Sequence, residues 1–304
     1  MKKFHHLVIL AVGCLLSIAP SDSSDNKQNK SSITPVLLNQ VQIDDSFWSP
    51  KLKVYTEQTI PHSWHYVEDA VEEAHSHIVG APKEVMKGFP WWQESNLYKH
   101  LEAVTYSLHQ FPDETLKAKL DSVLEIFAKA QRDNGYLYVF GMTRGYPEWE
   151  DIMMSHEDFN IGHLYEAAAF HSQFFDKSFL DIAANSANHA YKLFIEDHCV
   201  KGCPGHGGME LGLVELYRQT KDVRHLNLAI DLIERRGKGL NGWDCEKIEE
   251  LNRIHGFHFP CEYFQDHLPF EKQTRLRGHA VRGIYFLTAI VDVAIETGKP
   301  EYIA

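Results

Sequence analysis

Residues 162–175, GHLYEAAAFHSQFF, decide the fold. A Gly-His pair opens an apolar run with helical spacing, the run stops at the polar turn Asp176-Lys177-Ser178, and a second helical run follows. The same sentence is written twice more. Residues 205–219 read GHGGMELGLVELYRQ before the turn Thr220-Lys221-Asp222, and residues 278–296 read GHAVRGIYFLTAIVDVAIE before Thr297-Gly298-Lys299-Pro300. A helix, a tight turn and a returning helix, repeated at irregular intervals, predicts stacked αα-hairpins. If the first helix of each hairpin faces a common axis, the helix starts meet at one end and their histidines line one cavity.

Outward from these three, Ser95 to Gln110 and Glu114 to Arg132 form a further hairpin around Pro112-Asp113, with Ser95 as the expected N-cap and Asp133-Asn134-Gly135 as the stop. Lys51 to His77 reads as helical with an interruption at Pro61. Val36 to Ile43 alternates in the manner of a short strand ahead of the helical body. Residues 78–93 carry Gly80, Pro82, Gly88 and Pro90, and so read as a loop. Its pair Trp91-Trp92 suits either a sugar-stacking platform or a wedge of core. Gly239 to Gln273 is a long connection rich in aromatics, of the kind that carries function in a compact domain. The fold class is therefore all-α, an (α/α)6 toroid with a short β segment at its N-terminus. It is incomplete, since about eight helices can be read where six hairpins need about twelve. Helices ending within a hairpin leave an apolar face open, so the chain is expected to be part of a longer protein.

The 304 residues are 44% hydrophobic and 24% charged, ordinary globular material. A formal charge of −12 argues against a nucleic-acid surface, which needs a basic face. Nineteen histidines and 12% aromatic residues suit a sugar cleft, where rings stack on sugar faces and imidazoles bond hydroxyls. Residues 1–21 have basic residues followed by an apolar stretch from Leu7 to Ala19, the pattern of a signal peptide, and residues 22–33 form a polar tether. Ala11-Val12-Gly13-Cys14 resembles a lipoprotein box with Cys14 as the lipid-bearing residue, the alternative being plain secretion. The protein is thus expected to be exported: periplasmic, anchored to the outer membrane at Cys14, or extracellular. Residues 34–304 form the helical domain. Its cysteines, Cys199, Cys203, Cys245 and Cys261, fit buried thiols or one disulfide better than a metal, because Cys199-x3-Cys203-x2-His206 lacks a second ligand pair at matching spacing.

Three clusters offer chemistry: His156-Glu157-Asp158 with His163, then His206 through Glu210, then Gln265-Asp266-His267 with His279 and Arg282. His156 and His163 are seven apart, unlike the four-residue step of a zinc helix. Glu157 and Asp158 also suit the positive end of a helix dipole. Glycoside hydrolysis ordinarily needs a carboxylic acid pair, and nothing in the sequence singles one out.

Taken together and in order, SNLYKHLEAVTYSL, AQRDNGYLY, HEDFNIGHLYEAA, PGHGGMELGLVELYRQTKD, YFQDHLPF and GHAVRGIYFLTAIVDVAIETG resemble glycoside hydrolase family 127, the β-L-arabinofuranosidases. The similarity runs from about Val41 to Ala304. It implies an (α/α)6 catalytic domain that removes terminal β-L-arabinofuranosyl residues from arabinose-containing glycans. It also implies that His156, His206 and His279 bind the sugar hydroxyls. Members of the family use a zinc-bound cysteine thiolate as nucleophile and a glutamate as acid/base. Both are expected beyond Ala304, so that no catalytic residue and no zinc ligand is assigned here and the segment alone should be inactive. Asn96 stands where the family has Asp, and HEDFN replaces a more usual HELYC, which points to a divergent branch. The competing readings are a non-catalytic glycan-binding homologue and another αα-toroid enzyme, such as an unsaturated uronyl hydrolase or lyase. The last would need arginines for a uronate carboxylate, and Arg275, Arg277 and Arg282 are the candidates.

Overall fold

A computed structural model describes residues 36–80, 92–238, 253 and 259–303. The leader, the tether, Cys14, Trp91, Trp243, Cys245 and Phe257 lie outside the described residues. In chain order the helices are α1 (Trp48–Val54), α2 (Ile60–Trp64), α3 (Glu68–Ile78), α4 (Glu94–Gln110), α5 (Glu114–Ala130), α6 (Val139–Arg144), α7 (Glu157–His171), α8 (Ser178–Tyr191), α9 (Gly208–Thr220), α10 (Val223–Arg235) and α11 (Ala280–Thr297). Two π-helical turns, Tyr55–Thr59 and Lys192–Glu196, join α1 to α2 and extend α8.

The expected hairpins are α4–α5, α7–α8 and α9–α10. Their first helices stand side by side in the order α4, α7, α9, α11, and their second helices α5, α8 and α10 form an outer layer. Local chemistry explains the turns. Asp113 accepts hydrogen bonds from the Thr115 and Leu116 amides, and Asp222 from the Arg224 amide, which satisfies the first free donors of α5 and α10. The outer helices bury one stripe each, as Leu120, Val123, Leu124 and Phe127 do on α5. The central helix α7 is different: nearly every residue from Glu157 to Ala169 is buried, polar or not. Its closest neighbour is α9, and only glycine permits their approach. A Cβ on Gly162 would lie 2.4 Å from the Gly208 carbonyl carbon and oxygen, nearer than real Cβ contacts come.

Three expectations are corrected. No strand exists among the described residues at the N-terminus; Leu38–Gln40 is a 3-10 turn in an exposed segment. No neighbouring strand pairs with it, and the Gln110 carboxamide makes the two bonds a strand would make, accepting from the Ile43 amide (3.2 Å) and donating to its carbonyl (2.8 Å). Pro61 does not end the helical run, which widens into the π-turn Tyr55–Thr59 just ahead of it and continues to Trp64; the break comes at residues 65–67. Ser95 is not a cap. It lies inside α4, where its amide donates to Asn160 Oδ1 (2.6 Å) and its hydroxyl to the Trp92 carbonyl (2.7 Å).

Among the described residues, two apolar faces are exposed. On α11 they are Val281, Ile284, Leu287, Val291 and Ile295, and at the other edge Phe47, Trp48, Val54 and Tyr55.

Candidate functional site

The site forms where α7, α9 and α11 begin. Two buried glutamates shape its rim. Glu94 accepts from Tyr98 Oη (2.7 Å) and from the first amides of α6, Val139 and Phe140 (3.2 Å each). Glu157 accepts from Tyr136 Oη (2.5 Å) and from the Trp149 amide. Together they pin the loop of residues 136–155 over the helix starts. No cation is recorded among these bonds. Burial pushes Glu94 up to about 7 and Glu157 up to about 8, against hydrogen bonds that act the other way. Glu157 thus lines the cavity described below with its carboxyl already engaged as an acceptor by Tyr136 and Trp149.

His156, the residue before α7, has a left-handed backbone at φ 55°, unusual for a side-chain-bearing residue and common at functional sites. Its Nδ1 lies 3.1 Å from the Met154 carbonyl, which can only accept, so Nδ1 carries the proton. Its Nε2 lies 3.3 Å from an Arg282 guanidinium nitrogen, which can only donate, so Nε2 offers its lone pair. Burial, then the Arg282 charge, holds this imidazole neutral, down to about 4.

His279 has the opposite tautomer. As N-cap of α11 its Nδ1 accepts from the Arg282 amide (3.3 Å), which leaves the proton on Nε2. His206 is carried by a turn pressed against residues 152–153. The Gly205 amide donates to the Ile152 carbonyl (2.9 Å), and a Cβ on Gly205 would meet the Met153 carbonyl oxygen at 1.7 Å. The His206 ring packs 4.1 Å from Phe159, 5.0 Å from Tyr285 and 6.2 Å from His156, centre to centre. Burial and the Arg282 charge keep it neutral as well.

The structure therefore brings the ends bearing His156, His206 and His279 together, and Arg282 is the residue they share. It donates to the Gly205 carbonyl and faces His156, while its guanidinium lies 5.1 Å from the Tyr263 and Phe264 rings. His163 is not part of this rim. The Gly162-His163 pair sits within α7 rather than at its start, and His163 bridges Glu166 (3.0 Å) and Tyr285 Oη (3.3 Å) two turns below His156.

In front of His156 and Arg282 opens a cavity of about 690 Å³. Trp92, Tyr138, Phe140, Tyr146, Phe259 and Tyr263 supply aromatic wall, and Glu150 and Asp151 supply carboxylates. Trp92 is 43% exposed, with its ring 6.4 Å from His156, and so stands as rim rather than core. Behind the histidines Glu210 pairs with Arg236 (3.2 Å), and Arg236 also donates to the Phe264 carbonyl (2.8 Å). Asp158 is buried beside them, raised by burial and the Glu210 charge. Gln265 donates to the Arg277 carbonyl (2.9 Å), and Asp266 accepts from the Gly237 amide (2.5 Å); both brace the loop ahead of α11. Sequence reasoning missed Phe159, Arg236 and Tyr263, whose partners are distant in the chain; Arg282 had a local signal, three residues after His279.

The described residues do not fit a zinc centre. Cys261 is in a disulfide, Cys199 is exposed on the outer layer, and Cys203 is buried with its thiol raised by burial. No group of three or more His, Cys, Asp or Glu side chains suited to a metal occurs among the described residues.

The family model for the GH127 catalytic domain of β-L-arabinofuranosidases matches residues 40–304. A non-reducing end β-L-arabinofuranosidase of Bifidobacterium longum subsp. longum is 30% identical over 283 residues, 83% of this chain and 43% of that relative. Among solved structures, a GH127 β-L-arabinofuranosidase from Geobacillus stearothermophilus T6 superposes with a TM-score of 0.74 at 26% identity, covering 86% of this chain and 43% of the other. A GH127 β-arabinofuranosidase gives 0.73 at 31%, covering 88% and 42%. The chain thus spans well under half the length of these relatives.

Proposed function

Because this chain belongs to the GH127 β-L-arabinofuranosidase catalytic-domain family, we propose that it forms the sugar-binding wall of an exported glycoside hydrolase that removes terminal β-L-arabinofuranosyl residues from arabinose-containing glycans. The observation that carries the reading is the convergence of the segments bearing His156, His206 and His279 on Arg282, beside the aromatic cavity that His156 and Arg282 line. His279 keeps an Nε2–H, a donor suited to a sugar hydroxyl, whereas both ring nitrogens of His156 are engaged, by the Met154 carbonyl and by Arg282, so a hydroxyl bonds His156 Nε2 only in place of Arg282. Trp92 and Tyr263 add stacking surface. Neutral imidazoles suit an uncharged sugar. A uronate is disfavoured, since Arg282 is already engaged by a carbonyl, an imidazole and two rings, and Arg277 is exposed.

The side-by-side first helices belong, in this reading, to an (α/α)6 toroid. The leader at residues 1–21 supports export, with Cys14 as the lipid-bearing residue or plain secretion as the alternative. In this reading the thiolate nucleophile, its zinc and the acid/base glutamate come from outside this chain. When bound, zinc would keep a thiol deprotonated.

The test is hydrolysis of p-nitrophenyl β-L-arabinofuranoside, with zinc and reductant, by this chain and by the longest product of its gene, beside calorimetric titration of this chain with methyl β-L-arabinofuranoside. Binding by this chain, with turnover only in a longer product, is expected. Turnover by this chain alone would overturn the division of labour, and binding without turnover in either form would favour a non-catalytic glycan-binding protein.

A further inference from the structure

Arg282 is buried, yet none of its recorded hydrogen bonds goes to a carboxylate. One guanidinium nitrogen donates to the Gly205 carbonyl, the peptide that leads into His206, and another faces His156 Nε2 at 3.3 Å. The amide of the same residue donates to His279 Nδ1. A single residue thereby touches all three segments that carry the proposed sugar-binding histidines, which are 126 and 77 residues away in sequence at the two side-chain contacts. The Tyr263 and Phe264 rings hold the guanidinium plane, and Asp158 and Arg236 supply the nearest charges behind it.

We propose that Arg282 is the positioning residue of this wall: its guanidinium fixes His156 in the Nδ1–H tautomer and locks the Gly205 turn that aims His206. The chemistry is directional. Guanidinium has donors only, so the imidazole nitrogen it faces must keep a lone pair, and that places the proton on Nδ1, where the Met154 carbonyl accepts it. Lysine could reach one of the two acceptors but could not fork between them. The titratable and charged groups around His156 are Arg282 and His279 at the start of α11, His206 before α9, Glu157 and Asp158 on its own helix, and Tyr263 on the facing loop. The consequence for ligand rests on the sugar-binding reading; the tautomer does not.

Imidazole 15N NMR on the full chain separates the two. In the wild type His156 should show a protonated Nδ1 and an unprotonated Nε2 from about pH 5 to about pH 8. In Arg282→Met the Met154 carbonyl still favours Nδ1–H, so the Nε2–H tautomer should appear as a minor form and the ring should titrate at higher pH, while Arg282→Lys, the variant better able to fold, should show less of that form. Methyl β-L-arabinofuranoside should bind Arg282→Lys about tenfold more weakly than wild type, the loss of one charge-assisted contact. A wild-type His156 protonated on Nε2 overturns the proposal without any variant, as does an unchanged tautomer in both variants. Altered tautomers in a protein that binds no sugar in any form uphold Arg282 and sink the sugar-binding reading instead.

Discussion

Two sets of buried carboxyl groups lie in the first turns of neighbouring helices and are held by different means. Glu94 and Glu157, under the loop of residues 136–155, are held by neutral donors: two tyrosine hydroxyls and three amides. Glu210, behind the histidines, is held by the Arg236 guanidinium at 3.2 Å, with the pair 0% and 1% exposed. Neutral donors satisfy a carboxyl oxygen in either protonation state, whereas the Arg236 charge favours the ionised form of Glu210 against the burial that raises it. The first set is therefore free to stay protonated at neutral pH, whereas in the second an opposite charge works against the burial that pushes Glu210 above the ordinary carboxylate range.

The largest effect expected follows from that pairing. Arg236→Met leaves Glu210 buried without its partner and should cost about 3–5 kcal/mol, read as a fall in urea midpoint at unchanged slope. A loss below about 1 kcal/mol would mean that Glu210 was protonated and the two sets alike.

A smaller effect concerns pH. Glu94 and Glu157 have folded values of about 7 and about 8, above the 4.5 of an ordinary glutamate. Between 4.5 and those values the folded state binds more protons than the unfolded state, so their contribution falls as pH rises through that window. The double variant Glu94→Gln with Glu157→Gln should remove this slope, and its Tm should overtake that of the wild type on the alkaline side. Parallel Tm curves from about pH 5 to about pH 9 would show that both carboxyls are ionised when folded.

The smallest effect is Glu157→Gln by itself near pH 6. Its amide oxygen can accept from Tyr136 and Trp149 as the protonated acid does, so stability should change by less than about 1 kcal/mol. A loss of about 3 kcal/mol or more would show a charge at Glu157 and erase its contrast with Glu210.

The hairpins were readable because a helix records itself locally. Leu120, Val123, Leu124 and Phe127 fall on one stripe of α5, and Asp113 and Asp222 sit where a helix start needs an acceptor. The strand expected at residues 36–43 failed for the converse reason: alternation describes a segment, but a strand exists only with a partner, and here a side chain of α4 took that place. Among site residues, His156, His206 and His279 were named from motifs resembling a known family, and the structure gathers the helix ends that bear them. The misplaced Gly162-His163 pair shows the limit of repetition, because identical dipeptides occupy a mid-helix crossing at residue 162 and a loop at residue 205.

The sequence by itself determined the all-helical class, the hairpin boundaries to within a few residues, and the histidines worth watching. Periodicity, turn residues and motifs act over a handful of positions, so one dimension suffices for them. Only the tertiary structure decided which histidine nitrogen carries a proton, what holds each buried glutamate, and that Arg282 joins the starts of three helices. Those depend on donors and acceptors 77 and 126 residues away, and on burial that turns a modest difference in partners into a change of protonation state.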